Sequence, residues 1–240
     1  QFHNIPTLNE YHGMMEDGSS LEAAHEALDE GKIRHLGLSS HNIEVALEAT
    51  ASGLFETIQF PFNFISDEAA SELISLAQKH DVGFIGMKPF AGGNITDASL
   101  AFKYLMQFDA VLPSPGIEKG EEIEEIVKIV ENPTPITEGD QKRIQEIREE
   151  VGPRFCRQCM YCMPCPQGVN LWMTMITEKM HRLWPLENFL EIRSKPIESA
   201  GNCVECGACE SKCPYGLPIM EMLRKNTEYY NQVRLGGGIK

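Results

Sequence analysis

The sequence predicts an α/β region with a parallel sheet, followed by a small, mainly helical domain. Three observations carry that reading. Short apolar segments alternate with amphipathic stretches over the first 132 residues. The amphipathic stretches repeat their apolar residues at helical spacing. All eight cysteines are confined to two runs near the C-terminal end.

The strands are expected at Gln1–Asn4, Leu36–Ser39, Thr57–Pro61, Gly83–Lys88 and Ala110–Pro113, each followed by a helix. After the first, Ser19 and Glu22 are spaced as a capping box for a helix holding Leu21, Ala24 and Leu28, and Gly31 ends it. After the last, Ile123, Ile126, Val127 and Val130 form the i, i+3, i+4, i+7 stripe of a helix lying on a sheet. Five such units are too few for a closed eight-stranded barrel, which needs about 250 residues. The chain begins without methionine, inside a strand, so further sequence upstream is expected: an open parallel sheet would otherwise leave its first edge bare. The α/β region therefore reads as the C-terminal part of a (β/α)8 barrel.

Pro133 and Pro135 precede an amphipathic helix with Ile144, Ile147 and Val151, expected to be a connector that docks by burying this stripe. The domain map is 1–132 for the partial barrel (about strands 4 to 8), 133–152 for the connector, 153–230 for the cysteine domain and 231–240 for a flexible tail containing Gly236 to Gly238. Within the cysteine domain, Leu171–Leu183 is expected to be helical, with Trp172, Met175, Ile176 and Met180 as core.

The cysteines carry the chemistry. Cys156, Cys159, Cys162 and Cys165 are followed by Pro166, and Cys203, Cys206, Cys209 and Cys213 by Pro214. The second run has the Cys-x2-Cys-x2-Cys-x3-Cys-Pro spacing of a two-cluster ferredoxin, and the first differs only in x2 before its last cysteine. Three cysteines two residues apart let a short loop wrap one face of a cubane cluster. In such ferredoxins the cysteine before proline serves the other cluster. Two 4Fe-4S clusters are thus expected, one on Cys156, Cys159, Cys162 and Cys213, the other on Cys203, Cys206, Cys209 and Cys165. Zinc sites usually bring their cysteines as two separated pairs, and a disulfide framework would call for a secretory context, of which the sequence carries no sign.

Four further segments bear on the barrel: Gln1 to Asn4, Gly31 to Asn42, Ile58 to Asn63 and Met87 to Gly93. In order, they resemble the aldo/keto reductase family. With Cys156 to Gly168, the chain is similar to the branch of that family with a C-terminal ferredoxin-like domain, and the resemblance covers almost its whole length. It implies a catalytic role for His3, a hydrogen bond to a substrate carbonyl from the end of a barrel strand. It implies cofactor-binding positions at Ser39, Ser40 and Gln59, around a nicotinamide carboxamide, and at Lys88, Phe90, Gly92 and Gly93, along a pyrophosphate. The aspartate, tyrosine and lysine that complete the family's tetrad would lie upstream, so this stretch alone is expected to be inactive.

Two positions depart from the family pattern. Ser40 stands where many members have Asn. Glu118 stands about where an arginine usually pairs the 2′-phosphate of NADPH; a carboxylate there repels phosphate and tolerates a ribose hydroxyl. NADPH, NADH and no nicotinamide all stay open. His35 and His41 lack companions at ligand spacing and receive no role.

With 21 Lys and Arg against 35 Asp and Glu, the formal charge is −14. This disfavours nucleic acid and anionic membranes as partners, and no apolar run approaches a membrane span. The expectation is a cytoplasmic oxidoreductase that couples a carbonyl or alcohol substrate to two 4Fe-4S clusters and a redox protein partner. The competing classes are a non-enzymatic electron-transfer module on a barrel scaffold and a reductase whose clusters are structural staples.

Overall fold

The computed structural model describes residues 1–236. Two compact units divide it, Gln1–Gly152 and Pro153–Lys240.

The first unit runs α1 (Leu8–Gly13), α2 (Ser20–Asp29), β1 (Gly37–Ser39), α3 (Ile43–Ala51), β2 (Thr57–Pro61), a 3-10 turn at Glu68–Ala70, α4 (Leu73–Lys79), β3 (Gly83–Met87), α5 (Ala98–Leu105), β4 (Val111–Ser114), α6 (Gly120–Glu131) and α7 (Glu138–Val151). The four strands form one parallel sheet in sequence order. Strand alternation divides its faces. Leu38, Ile58 and Phe84 share a row that packs against Val45, Ala46, Ala49, Leu73 and Ile74 of the helices. Ser39, Gln59, Ile85 and Leu112 share the next row, on the opposite face, where Leu112 is 65% exposed.

The first expected strand is reduced to a single bridge. Phe2 pairs with Leu38, donating to Gly37 O at 2.8 Å and accepting from Ser39 N at 2.8 Å. The ladder then breaks: Ile5 N, not Asn4 N, donates to Ser39 O, and Asn4 sits at φ 64° with its N–H on Ser39 Oγ at 2.8 Å. This is a one-residue bulge held by a hydroxyl. At the other strands, the ends at Leu36, Lys88 and Ala110 fall outside the ladder, and β4 extends to Ser114.

Two local expectations are corrected. Ser19 is the N-cap of α2, but its hydroxyl donates back to Met14 O, and Glu22 accepts from Gly18 N at 2.6 Å, so the reciprocal box does not form. Gly31, at φ 70°, does close the helix: it donates to Leu28 O while Lys32 donates to Ala27 O, the paired bonds of a Schellman turn. The stripe on α6 is not buried on the sheet; Ile123 is 51% exposed, Val127 and Val130 are exposed, and α6 buries no residue. It packs beside α5 instead.

α7 is tied to this first unit. Ile144 and Ile147 are buried, Lys103 Nζ donates to Asp140 at 3.0 Å, and Arg148 reaches Phe64 O and Asp67.

The second unit is helical: α8 (Leu171–Met175), α9 (Thr177–Leu183), α10 (Leu186–Ala200), α11 (Ala208–Ser211) and α12 (Ile219–Arg234). The stretch Leu171–Leu183 is two helices broken at Ile176 (φ −104°, ψ 14°), where the Thr177 hydroxyl takes Thr174 O. Met175, Ile176 and Met180 are buried and Trp172 packs beside them, as core. α12 continues to Arg234, so residues 231–234 are helix and not tail. The tail residues 237–240, with Gly237 and Gly238, lie outside the described residues. No helix among the described residues is long and apolar enough to cross a membrane.

Candidate metal centre and barrel site

The two cysteine runs fold alike. Gln158 and Met160 in the first run, and Glu205 and Gly207 at the equivalent places in the second, have φ of 56°, 65°, 52° and 74°. Left-handed residues spaced in this way curl a short loop so that N–H groups turn inward, the geometry that receives anionic sulfur. Gln158 N donates to Cys156 Sγ at 3.4 Å. Met160 takes a conformation that glycine fills in the second run, a constraint on a side-chain-bearing residue that marks a built loop.

The runs interleave. The Cys162 thiol is pushed up to about 12, first by burial and then by Cys156, Cys159 and Cys213, so its thiol neighbours come from both runs. Cys162 and Cys165, from the first run, line one pocket with Cys203, Cys206 and Cys209 from the second. Burial likewise raises the Cys209 thiol. Sulfurs gathered in a half-buried space resist ionising alone; iron supplies the positive charge that makes them thiolates. All eight cysteines are free of disulfides. Among the described residues, no three His, Cys, Asp or Glu side chains close on a point as a single metal ion would require. The donor set fits the cluster.

The surroundings add residues that the spacing of cysteines does not announce. The Arg157 guanidinium lies between the Phe155 ring, at 4.1 Å, and the Tyr215 ring, at 4.5 Å, stapling the first loop to the segment after Cys213. Burial lowers the Lys179 ammonium, with the nearby Cys156 acting in the opposite sense. An arginine between aromatics flanking a cysteine was the available signal for the first; nothing local marks the second.

The α/β unit places its named residues along the C-terminal ends of parallel strands, where the loops gather. His3 follows Phe2, which faces the helices, so alternation sets His3 on the open face beside Ser39 and Gln59; it is exposed. Gln59 is half-buried and accepts from Gln1 Nε2 at 2.8 Å. The Ser39 hydroxyl holds the bulge. Ser40 is fully buried, and its hydroxyl donates to Ile5 O and accepts from Asn42 N, so it positions the loop and presents nothing to a ligand. Asn42 then caps α3 through Glu44 N.

Lys88, Ala91, Gly92 and Gly93 all have positive φ, at 58°, 48°, 64° and 92°. Phe90, half-buried, packs against Phe102. The loop is pinned from β2: Asn63, buried, donates from Nδ2 to Lys88 O at 2.9 Å while its Oδ1 accepts from Ile65 N and Ser66 N. Asn63 was visible only as part of a motif. At the far loop, Glu118 N and Lys119 N both donate to Glu122, whose carboxyl they hold down, Glu118 foremost. Of the barrel residues, His3, Gln59 and Lys88 to Gly93 are open to a ligand in part, Ser40 is not, and two carboxylates stand by the loop at Glu118. Residues 1–99 match the model described as aldo/keto reductase family. Residues 155–218 match the model of a 4Fe-4S dicluster domain.

The chain is an aldo/keto reductase family region followed by a 4Fe-4S dicluster domain. Among solved structures it is similar to aldo-keto reductase AKR11C1 from Bacillus halodurans. The holo form has 22% identity and a TM-score of 0.48 over 60% of this chain and 58% of that one; the apo form has 23% and 0.45 over 60% and 59%. It is also similar to a thermostable aldo-keto reductase, Tm1743, solved with the inhibitor epalrestat, at 20% identity and a TM-score of 0.41 over 53% of each chain. The chain thus spans less than two thirds of the length of these structures. No curated protein matches it.

Proposed function

We propose that the whole protein is an oxidoreductase of aldo/keto reductase type that couples a carbonyl or alcohol substrate to two 4Fe-4S clusters. The observation that carries this is the pairing on one chain of a reductase-family region with a dicluster domain whose cysteine runs interleave. In this reading Cys156, Cys159, Cys162 and Cys213 hold one cluster, and Cys203, Cys206, Cys209 and Cys165 hold the other. The clusters supply one-electron chemistry.

His3 is assigned to the substrate oxygen. An imidazole N–H at the end of a strand donates a hydrogen bond to a carbonyl and stabilises the negative charge that grows there during reduction. The bulge at Asn4, held by Ser39, fixes the strand end from which His3 projects. Lys88 to Gly93 offer a positively charged, left-handed loop suited to phosphate oxygens. Ser40 does not fit a direct role in gripping a nicotinamide, and Glu118 does not fit a 2′-phosphate, so no step is assigned through a nicotinamide. Oxidation of an alcohol to a carbonyl releases two electrons and two protons. The two clusters together could take the two electrons, one each, while the two protons would pass to water.

Stopped-flow absorbance of the full-length enzyme under anaerobic conditions tests the coupling. Cluster reduction or oxidation that keeps pace with turnover is expected. Clusters that stay oxidised throughout turnover would assign them a structural role.

A further inference from the structure

Among the described residues, Arg193 is the largest fully buried side chain, at 1% exposure. It projects from α10. Its Nη1 donates to Met173 O at 3.0 Å and lies 3.1 Å from Met173 Sδ, and its Cζ sits 5.1 Å from the centre of the Trp184 ring. Its Nε has no hydrogen-bond partner. The described ion pairs of this unit are Arg154–Glu221, Arg224–Glu205 and Lys225–Glu221, and Arg193 is in none of them. A carbonyl, a thioether and a ring are poor compensation for a full charge taken out of water. Burial pulls the guanidinium pKa down, yet an arginine keeps its proton.

The interior of this unit does contain anions once clusters are bound. A cubane with four thiolates is a net anion and gains one negative charge on reduction. The apolar surroundings of the cation include one of the cysteines. Trp184, over which Arg193 lies, shares an apolar group with Cys156 and Trp172. Met173, which accepts its hydrogen bond, stands between Leu171 and Met175 of α8, which pack beside the cysteines of both runs. The side chains of these groups are apolar, and in apolar surroundings Coulomb interactions are weakly screened. Lys179 is also near Cys156 but is partly open to solvent.

We propose that Arg193 is the built-in counter-charge of the dicluster domain and raises the reduction potential of the cluster that holds Cys156. A fixed cation stabilises the more negative, reduced cluster over the oxidised one. The proposal rests on the two-cluster reading, which is checked first: wild-type protein should contain about eight irons per chain, and a protein without them fails that reading before Arg193 is tested.

The experiment is an anaerobic redox titration followed by electron paramagnetic resonance, on the full chain with clusters loaded, for wild type, Arg193→Met, Arg193→Gln and Arg193→Lys. The neutral variants should make reduction of one cluster at least tenfold less favourable, a downward shift of about 59 mV for one electron. The other cluster should move less, and Arg193→Lys should stay near wild type. If neither neutral variant loads iron while Arg193→Lys does, the charge serves assembly and the assignment of a potential to Arg193 is overturned. Unchanged potentials in loaded Arg193→Met or Arg193→Gln, equal shifts of both clusters, or loss of iron in all three variants would overturn it, the last by assigning Arg193 a packing role.

Discussion

Cys162 and Cys213 are 51 residues apart in sequence, yet Cys213 is among the groups that act on the buried Cys162 thiol. That neighbourhood gives the crossed ligation a direct test: Cys213→Ser should remove the cluster held with Cys156, Cys159 and Cys162, lowering iron from about eight to about four per chain. The spectrum of the remaining cluster should match that of the cluster lost in Cys165→Ser. Cysteine spacing made the dicluster domain legible in the sequence because thiolate ligands need no partner element to be recognised. Ser39 and Ser40 were not separable in that way. Both are small polar residues buried at a strand end, and only the pleat decides that Ser39 shares a row with Gln59, its hydroxyl on Asn4 N, while Ser40 turns under the loop to Ile5.

Among the elements, the sheet is dense where β1 meets β2. A Cβ added to Gly37 would lie 2.1 Å from Thr57 Oγ1, so Gly37→Ala should destabilise the α/β unit by about 1 to 3 kcal/mol, measured by chemical denaturation. α7 gives a second test, through pH. Asp140 accepts from Thr137 N, from the Thr137 hydroxyl and from Lys103, and these contacts, with the Thr137 backbone foremost, hold its carboxyl below the usual range. A depressed folded-state pKa stabilises the fold above the ordinary carboxylate pKa of about 4, and that contribution is lost as pH falls through the lowered value. Asp140→Asn should therefore lower thermal stability near neutrality and flatten the acid limb of Tm against pH. Strands and helices were legible from alternation and periodicity because both follow from backbone geometry. The stripe on α6 followed the same rule and was misplaced, since periodicity shows that Ile123, Val127 and Val130 share a face but not what that face meets. The Ser19 box failed for a similar reason: Met14 O offered its hydroxyl a nearer acceptor.

For the molecule as a whole, the order of parts was readable from composition and motif, with a reductase-family region first and a dicluster domain after it. A buried arginine in α10 was not, because a charged letter in a helix normally denotes a solvated face. In the proposed function, electrons pass between the two chemistries. The decisive measurement is the rate of cluster reduction on anaerobic mixing of the full-length protein with a panel of primary and secondary alcohols, comparing wild type with His3→Ala, and with dithionite as the control reductant. The account predicts that His3→Ala slows substrate-driven cluster reduction at least a hundredfold and leaves dithionite reduction unchanged. Clusters that remain oxidised in wild type while substrate is consumed, or that are reduced equally fast in His3→Ala, would contradict it.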